Sequence, residues 1–360
     1  MSTASSIATI HRLPGLKPKS FQALILAAAF SVDPAAWRPE QLTEWGLEPD
    51  QVNLVETAVR ALDLKVVESL LERQRIRLIV ITDPAYPAQL REIPSPPPVL
   101  YVRGDAKILE RLSLAVVGTR RPTAYGLAAA TTLVEPVARA GISIVSGLAL
   151  GIDSAAHRAA LAADGPTVAV LGCGLNQIYP WQNHPLAEDI ISHGGAVISE
   201  FPLGAEPERH HFPQRNRIIS GLAKAVLLVE AGEKSGALIT AKFAVDQNRD
   251  VFVVPGNITS PQSVGPLNWL KLGATPVTSA QDVLNVLSAG TTASVVPSPI
   301  TSDDPTEAAV IEFLRAGPRH VDVLAERCRL DSSVVSAVLS LLEIRGLVAH
   351  DGGMIYRLNA

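Results

Sequence analysis

The stretch from Phe212 to Ala241, FPQRNRIISGLAKAVLLVEAGEKSGALITA, gathers the residue types best suited to holding a polyanion. Arg215, Asn216 and Arg217 read as a cation-rich loop. The apolar run AVLLVEA follows, and Ser235-Gly236 makes a turn at the start of the next helix. From Arg209 to Val229 there are four Lys or Arg and no Asp or Glu, in a chain whose net charge is -4. Guanidinium forks and free amides at a Ser-Gly turn suit phosphate oxygens better than a metal ion or an acyl group. Phe212 sits in a polar context beside these cations. It is either an ordinary core residue or a π-face for stacking an unpaired base, which would hold a single strand with little sequence preference.

Two further turns repeat the theme. Gly118-Thr119-Arg120-Arg121 follows an apolar run and precedes a helix, so amides and the Arg120 fork can meet one phosphate. Ser146-Gly147-Leu148-Ala149-Leu150-Gly151-Ile152-Asp153 ends another apolar run, with Asp153 placed to cap the helix that carries His157. The chemistry of bond-breaking is poorly represented. There is no G-x-S-x-G elbow, no H-E-x-x-H and no Cys/His cluster of metal-ligand spacing. Lys234-Ser235-Gly236 lacks the upstream glycine of a phosphate-binding P-loop, since Gly232 lies only two positions before the lysine. Asp153, Glu200 and Glu230 could do acid–base work only if the fold brought them together.

The elements that position these turns recur in order. Apolar runs end at Gly118, Gly147, Gly172, Glu200, Ala231 and Gly256, with helical-period segments between most of them. Continuous apolar strands alternating with helices predict a doubly wound, mostly parallel α/β sheet whose C-terminal edge binds ligands. Shorter strands are expected over 79–82 and 99–102, and Pro136 should kink or shorten the helix that follows Gly118. Residues 1–75 read as a small helical domain, 76–289 as the extended sheet domain, and 290–304 as a Ser/Thr/Pro-rich linker. Residues 305–360 read as three helices and a hairpin around Asp351-Gly352-Gly353, the winged-helix pattern. Its third helix starts after Asp331, ends before Gly346, and carries an apolar stripe of Val334, Val338, Leu341 and Leu342.

Composition agrees with this class. Apolar residues make up 47% and aromatics 4% of the 360 residues, which suits Ala/Val/Leu/Ile-rich parallel strands. The acidic balance means that nucleic-acid binding must come from a local patch. Cys173 and Cys328 lie far apart and read as reduced cytosolic thiols. The N-terminus shows no leader pattern and no stretch reads as a membrane span, so a cytoplasmic protein is expected.

The motifs VVGTRRPTAYG, IVSGLALGIDSAAH, VLGCGLNQIYPWQN, GAVISEFPLG, FPQRNRIISGLAKAVLLVEAGEKSGALITA, VFVVPGN and LNWLKLGA, in this order, closely resemble the DNA processing protein A family (DprA, also called Smf). The resemblance covers roughly residues 80 to 280. It implies a Rossmann-like sheet with an N-terminal helical (SAM-like) domain and a C-terminal winged helix. It also implies binding of single-stranded DNA, protection of incoming strands during natural transformation and loading of the RecA recombinase, by a homodimer without enzymatic activity, cofactor or metal. Carried over by motif, Arg120 would hold a phosphate, and Gly118, Thr119, Ser146 and Gly147 would supply small backbone turns. Arg209 would be a basic DNA contact and Phe212 its stacking partner. Arg215, Asn216 and Arg217 would complete the pocket edge, with Ser235 and Gly236 facing it. Leu267, Leu270 and Leu272 fall in the segment the family uses for self-association. The winged helix has only Arg345 as a cation on its third helix, a weak endowment for reading a groove, so either a protein contact or duplex DNA suits it. Two other classes compete: a nucleoside-monophosphate hydrolase using Glu200 or Glu230, which would want a P-G-G-x-G-T run absent here, and a transcription regulator built on the winged helix.

Overall fold

The computed structural model describes residues 3–27, 34–60, 64–289, 304–315, 317–344, 347–350 and 352–358. The chain divides into two compact units, Met1–Gly290 and Thr291–Ala360. Most of the expected linker (290–303), Arg345, Gly346 and Asp351 lie outside the described residues.

The first unit opens with five helices: α1 (Thr3–His11), α2 (Pro18–Leu26), α3 (Pro39–Glu44), α4 (Pro49–Arg60) and α5 (Leu64–Arg73). α1 and α5 pack on each other and on the first strand. Residues such as Ile10, Phe21 and Leu24 belong to the same apolar core as the sheet residues Leu100 and Val170. The change at residue 75 is therefore one of secondary structure, not of core.

Nine strands then form one sheet. In chain order they are β1 (Ile76–Val80), β2 (Val99–Gly104), β3 (Ser113–Val117), β4 (Ser143–Ser146), β5 (Thr167–Leu171), β6 (Ala196–Ser199), β7 (Ala225–Leu228), β8 (Asp250–Val253) and β9 (Thr275–Pro276). Their spatial order is β1-β2-β6-β5-β4-β3-β7-β8-β9. The seven strands from β6 to β9 pair in parallel, while β2 runs antiparallel to β6, and β1 antiparallel to β2. The expected α/β sheet is thus present. β1 begins three residues earlier than 79, because Ile76 already pairs with Arg103.

Alternation along each strand divides the core between two faces, as a pleat requires. Ala115, Val117, Val226 and Leu228 face one side with Ile218 and Ile219 of α10 (His211–Gly221) and Ala237 and Ala241 of α11 (Ala237–Asp246). Leu114, Val116, Ala225 and Leu227 face the other with Leu133, Val134 and Val137 of α7 (Ala124–Arg139) and Ala156 and Ala159 of α8 (Ile152–Ala162). α7 runs through Pro136 to Arg139 and is not shortened by it. That proline lies in the last turn, where its ring disturbs few intrahelical bonds.

The chain leaves β3 in one direction through β4, β5 and β6, then returns beside β3 as β7 and continues through β8 to β9. β3 and β7 therefore flank the topological switch point, where the crevice outside the strand ends opens in such sheets.

The second unit contains α14 (Pro305–Arg315), a short strand β10 (Arg319–His320), α15 (Val321–Cys328), α16 (Ser332–Ile344), β11 (Val348–His350) and β12 (Ile355–Leu358). The strands order as β10-β12-β11, a winged-helix arrangement with one strand more than the sequence reading anticipated. On α16 the buried stripe is Val335, Val338, Leu339 and Leu342, an i, i+3, i+4, i+7 set. The expected stripe was wrong at two of its four positions: Val334 and Leu341 are exposed.

Candidate nucleic-acid interface

A cleft of about 900 Å³ opens at the switch point. Its walls come from the loop after β3 (Gly118, Thr119, Arg120), the loop before α10 (Pro207, Arg209), the start of α10 (Phe212, Pro213), and the turn before α11 (Lys234, Ser235, Gly236). Tyr179 is also on the lining. Three cations, Arg120, Arg209 and Lys234, stand exposed on this lining. Among the described residues no carboxylate is ion-paired with any of them. The start of α11 reaches the cleft through Gly236 and Ala237, so the positive end of its helix dipole faces the same opening, although the Ala237 and Leu238 amides are taken by Ser235.

Phe212 is half-buried, its ring edge close to Gly172 and its centroid 5.6 Å from that of Tyr179. The Arg120 guanidinium carbon lies 5.5 Å from the Phe212 centroid, a cation–π pair. A base stacking on Phe212 would meet Arg120 at the same ring, so phosphate and base recognition are brought to one point.

The floor of the cleft uses its charges differently, and here several sequence expectations need correction. Arg215 is not on a loop. It lies on α10, about one turn before Ile218 and Ile219, and shares their inward face at i, i+3 and i+4. Its side chain is 4% exposed, with Nη1 donating to the carbonyls of Gly147 (2.8 Å) and Val170. Burial lowers its pKa to about 10, which leaves it charged at neutral pH. Asp153 lies nearby, accepting from the amides of Gly147 and Ala149 at 3.2 and 3.4 Å. Burial pushes the Asp153 carboxyl up, and the Arg215 charge pulls it back. Arg215 lines the cleft from beneath, as a buried tie rather than an exposed phosphate contact.

Arg217 is removed from the cleft altogether. It makes a two-pronged pair with Glu200, at 3.1 and 2.5 Å, and both side chains are almost fully buried. Ser146 is wholly buried and donates to the Val116 carbonyl at 2.6 Å. Gly147 spends its amide on Asp153 and its carbonyl on Arg215. A Cβ at Gly147 would fall 2.2 Å from an Arg215 nitrogen, so glycine is required for the arginine to pass, not for a ligand to approach. Asn216 lines the cleft, but its Oδ1 accepts from Arg215 and its Nδ2 donates to the Gly236 carbonyl, which ties α10 to the Ser235-Gly236 turn.

The three carboxylates do not assemble. Asp153 belongs to Arg215 and Glu200 to Arg217, and Glu230 accepts from the amide and hydroxyl of Thr123 at 2.9 and 2.5 Å. Among the described residues one set of metal-type donors comes together, Glu208, His210 and His211, within 4.8 Å of one another. Its members are already engaged, His210 with Glu208 at 3.3 Å and His211 with the Glu206 carbonyl at 3.1 Å. Cys173 is buried with its thiol pushed up to about 11, and Cys328 is also a free thiol. Of the proposed self-association residues, Leu272 is 77% exposed, whereas Leu267 is half-buried and Leu270 packs against the core.

Sequence reasoning missed two cleft residues. In the sequence Lys234 stands out only as a lysine that fails the P-loop spacing, and nothing there singles out Tyr179 within its motif. The signal for Lys234 was its place in the same turn as Ser235 and Gly236.

Comparison with known proteins decides the family. Residues 77–288 match the model of DNA recombination-mediator protein A, and residues 296–354 match the DprA winged helix domain. The chain belongs to the DNA recombination-mediator protein A (DprA/Smf) family. It is 36% identical to Protein Smf of Synechocystis sp., over 92% of this chain and 93% of that protein. It is 43% identical to the DNA processing protein DprA of Bacillus subtilis, over 59% of this chain and 72% of that one. The solved structure of Streptococcus pneumoniae DprA superposes with a TM-score of 0.68 at 34% identity, covering 79% of this chain and 98% of that one. Helicobacter pylori DNA processing protein A, solved to explain its single-stranded DNA binding mode, gives a TM-score of 0.54 at 31% identity, covering 60% and 96%. No helix among the described residues is long and apolar enough to cross a membrane.

Proposed function

We propose that this member of the family is a single-stranded-DNA-binding recombination mediator. One observation carries the reading: Arg120, Arg209 and Lys234 are exposed around a cleft at the switch point, and Phe212 lies on the same lining beneath Arg120. Among the described residues the one acid on that lining, Asp153, is paired electrostatically with the buried Arg215. Backbone phosphates meet the guanidinium and ammonium groups, Gly118, Thr119, Ser235 and Gly236 supply close backbone approach, and a base rests on Phe212. The single-stranded DNA binding of the Helicobacter pylori relative supports the choice of ligand. The separate engagement of Asp153, Glu200 and Glu230 supports a binding protein over a hydrolase.

In this reading the bound strand is protected and handed to the RecA recombinase, during transformation and in repair. The protein acts in the cytoplasm as a homodimer, which the exposed Leu272 at the end of α12 (Val264–Lys271) helps to form. The winged helix contributes a protein contact or a weak duplex-DNA contact.

The test is the affinity of an Arg120→Ala, Arg209→Ala double variant for an oligothymidylate at several salt concentrations. Each phosphate contact contributes about 0.7 to the slope of log K against log salt for single strands. The slope should therefore shallow by about 1.4, with melting temperature unchanged. An unaltered affinity and slope would remove the strand from this cleft.

A further inference from the structure

Trp181 is 74% exposed, more than any other aromatic among the described residues. The other three tryptophans are different. Trp37 is buried, and Trp45 and Trp269 pack against the core. Leaving an indole in water forfeits a large apolar burial, and an exposed aromatic beside a binding cleft is a natural stacking platform. Two residues earlier, Tyr179 is 43% exposed and lines the cleft beside Phe212. Two residues of chain span at most about 7 Å. Phe212 and Tyr179 thus adjoin on the cleft lining, and Trp181, which is not on that lining, stands within this reach of Tyr179.

The loop that presents these rings is tied down from both sides. Asn183 is buried and its Nδ2 donates to the Leu148 carbonyl at 2.8 Å, while its amide donates to the Pro180 carbonyl at 3.0 Å. Upstream, the Gly174 amide reaches the Ala205 carbonyl at 2.9 Å, and Asn176 accepts from the Gly204 amide at 2.7 Å. The Cys173 thiol donates to the Gln177 carbonyl. A surface loop held this way keeps its aromatics outward without a large ordering cost when a ligand arrives.

We propose that Tyr179 and Trp181 form a second stacking stretch, on which a single strand leaving Phe212 lays its next unstacked bases. The proposal rests on the cleft being the strand-binding site, and it adds what that reading lacks: a direction of exit and a site longer than the cleft. Phosphates are gripped at Arg120, Arg209 and Lys234, and bases beyond that grip are held by ring faces alone. Binding along this stretch is therefore tolerant of sequence and contributes little to salt dependence.

Two measurements on the full chain test it, both with oligothymidylates of increasing length from about four nucleotides. The first compares Trp181→Ala with wild type. The shortest strands should bind equally well, and longer ones should bind roughly five- to 150-fold more weakly in the variant. The second follows tryptophan emission. Long strands should quench wild-type emission, and Trp181→Phe should abolish most of the quenching while binding persists, since phenylalanine still stacks. Equal affinities of wild type and Trp181→Ala at every length, or quenching that survives Trp181→Phe, overturns the proposal. An Arg120→Ala control separates the two readings. If it weakens strands of all lengths while Trp181→Ala does nothing, only the extension fails. If neither variant has an effect, the cleft itself is the wrong site.

Discussion

Arg120 and Arg215 line the same cleft, yet one is exposed over an aromatic ring and the other is 4% exposed beneath the floor. The rim holds cations without carboxylate partners, so their charge is available to a polyanion. Beneath the rim the cations have their donors consumed by the protein: Arg215 in the floor by two backbone carbonyls and the Asp153 field, and Arg217, outside the cleft on the same helix, by Glu200. A buried guanidinium left without partners would be very unfavourable, and one with good geometry locks neighbouring elements together. Arg215 ties α10 to the ends of β4 and β5, and Arg217 ties it to the end of β6. The floor therefore sets where α10 lies, and α10 carries Phe212 to the rim. Equal charge at two depths does two different jobs, and substitution should separate them.

The largest effect is expected at Arg215. Replacing it with Ala strands two carbonyl acceptors and leaves Asp153 buried without its cation. Loss of one partner of a buried charge set typically costs about 3–5 kcal/mol. Urea denaturation should show that loss, and DNA binding should fall only as folded protein is lost. If Arg215→Ala kept full stability but lost DNA affinity, the floor assignment would be wrong. Arg217 offers a cleaner cycle. Arg217→Met should destabilise by about 3 kcal/mol through the unpaired Glu200, and adding Glu200→Leu should restore most of it, because an apolar pair of similar volume often replaces a buried ion pair without loss. Two additive losses would mean the pair is not coupled.

These residues also mark where the sequence was legible and where it was not. The strands were legible because central parallel strands are covered on both faces, so SLAVV, TVAVL and AVLL are continuous apolar runs. The turns after β3 and before α11 were legible because small residues at strand ends of such sheets face the ligand edge. Arg215 and Arg217 were misread because a dense run of cations looks like a solvated loop. The helical spacing Arg215-Ile218-Ile219 was visible and pointed inward, but a buried arginine is recognised only once its acceptors are known, and Gly147, Val170 and Glu200 are distant in sequence. On α16 the buried face keeps Val338 and Leu342 but holds Val335 and Leu339 in place of Val334 and Leu341. A helix rich in apolar residues on several sides leaves that choice to its packing partners.

Lys234 sharpens the comparison from the rim. It is exposed on the cleft lining, on the turn held by Asn216. Lys234→Ala should leave urea stability within about 0.5 kcal/mol of wild type, as exposed substitutions generally do. It should weaken oligothymidylate binding and shallow the salt slope by about 0.7, one phosphate contact. A stability loss comparable to that of Arg215→Ala would place Lys234 with the floor.

The smallest and most gradual effect concerns pH, and it too belongs beneath the cleft. His157 on α8 is fully buried, with Nδ1 2.7 Å from the Thr167 hydroxyl and Nε2 without a partner. Burial first, then the charges of Arg215 and Arg158, hold its pKa down to about 3 from an ordinary 6.5. The unfolded chain therefore binds a proton at His157 below about pH 6.5 that the folded chain refuses. Its contribution is fully present above pH 6.5 and is lost as the pH falls through the window down to about 3. One such group steepens the stability slope by at most about 1.4 kcal/mol per pH unit. His11, stacked on Phe21 at 4.0 Å, is lowered in the same direction by burial and adds to the wild-type slope. Urea midpoints measured from pH 7 to 5 should fall less steeply in His157→Gln than in wild type, whatever the variant's stability at pH 7. Identical slopes would mean that the imidazole is protonated in the folded state, and that the positive charges beneath the cleft do not reach it.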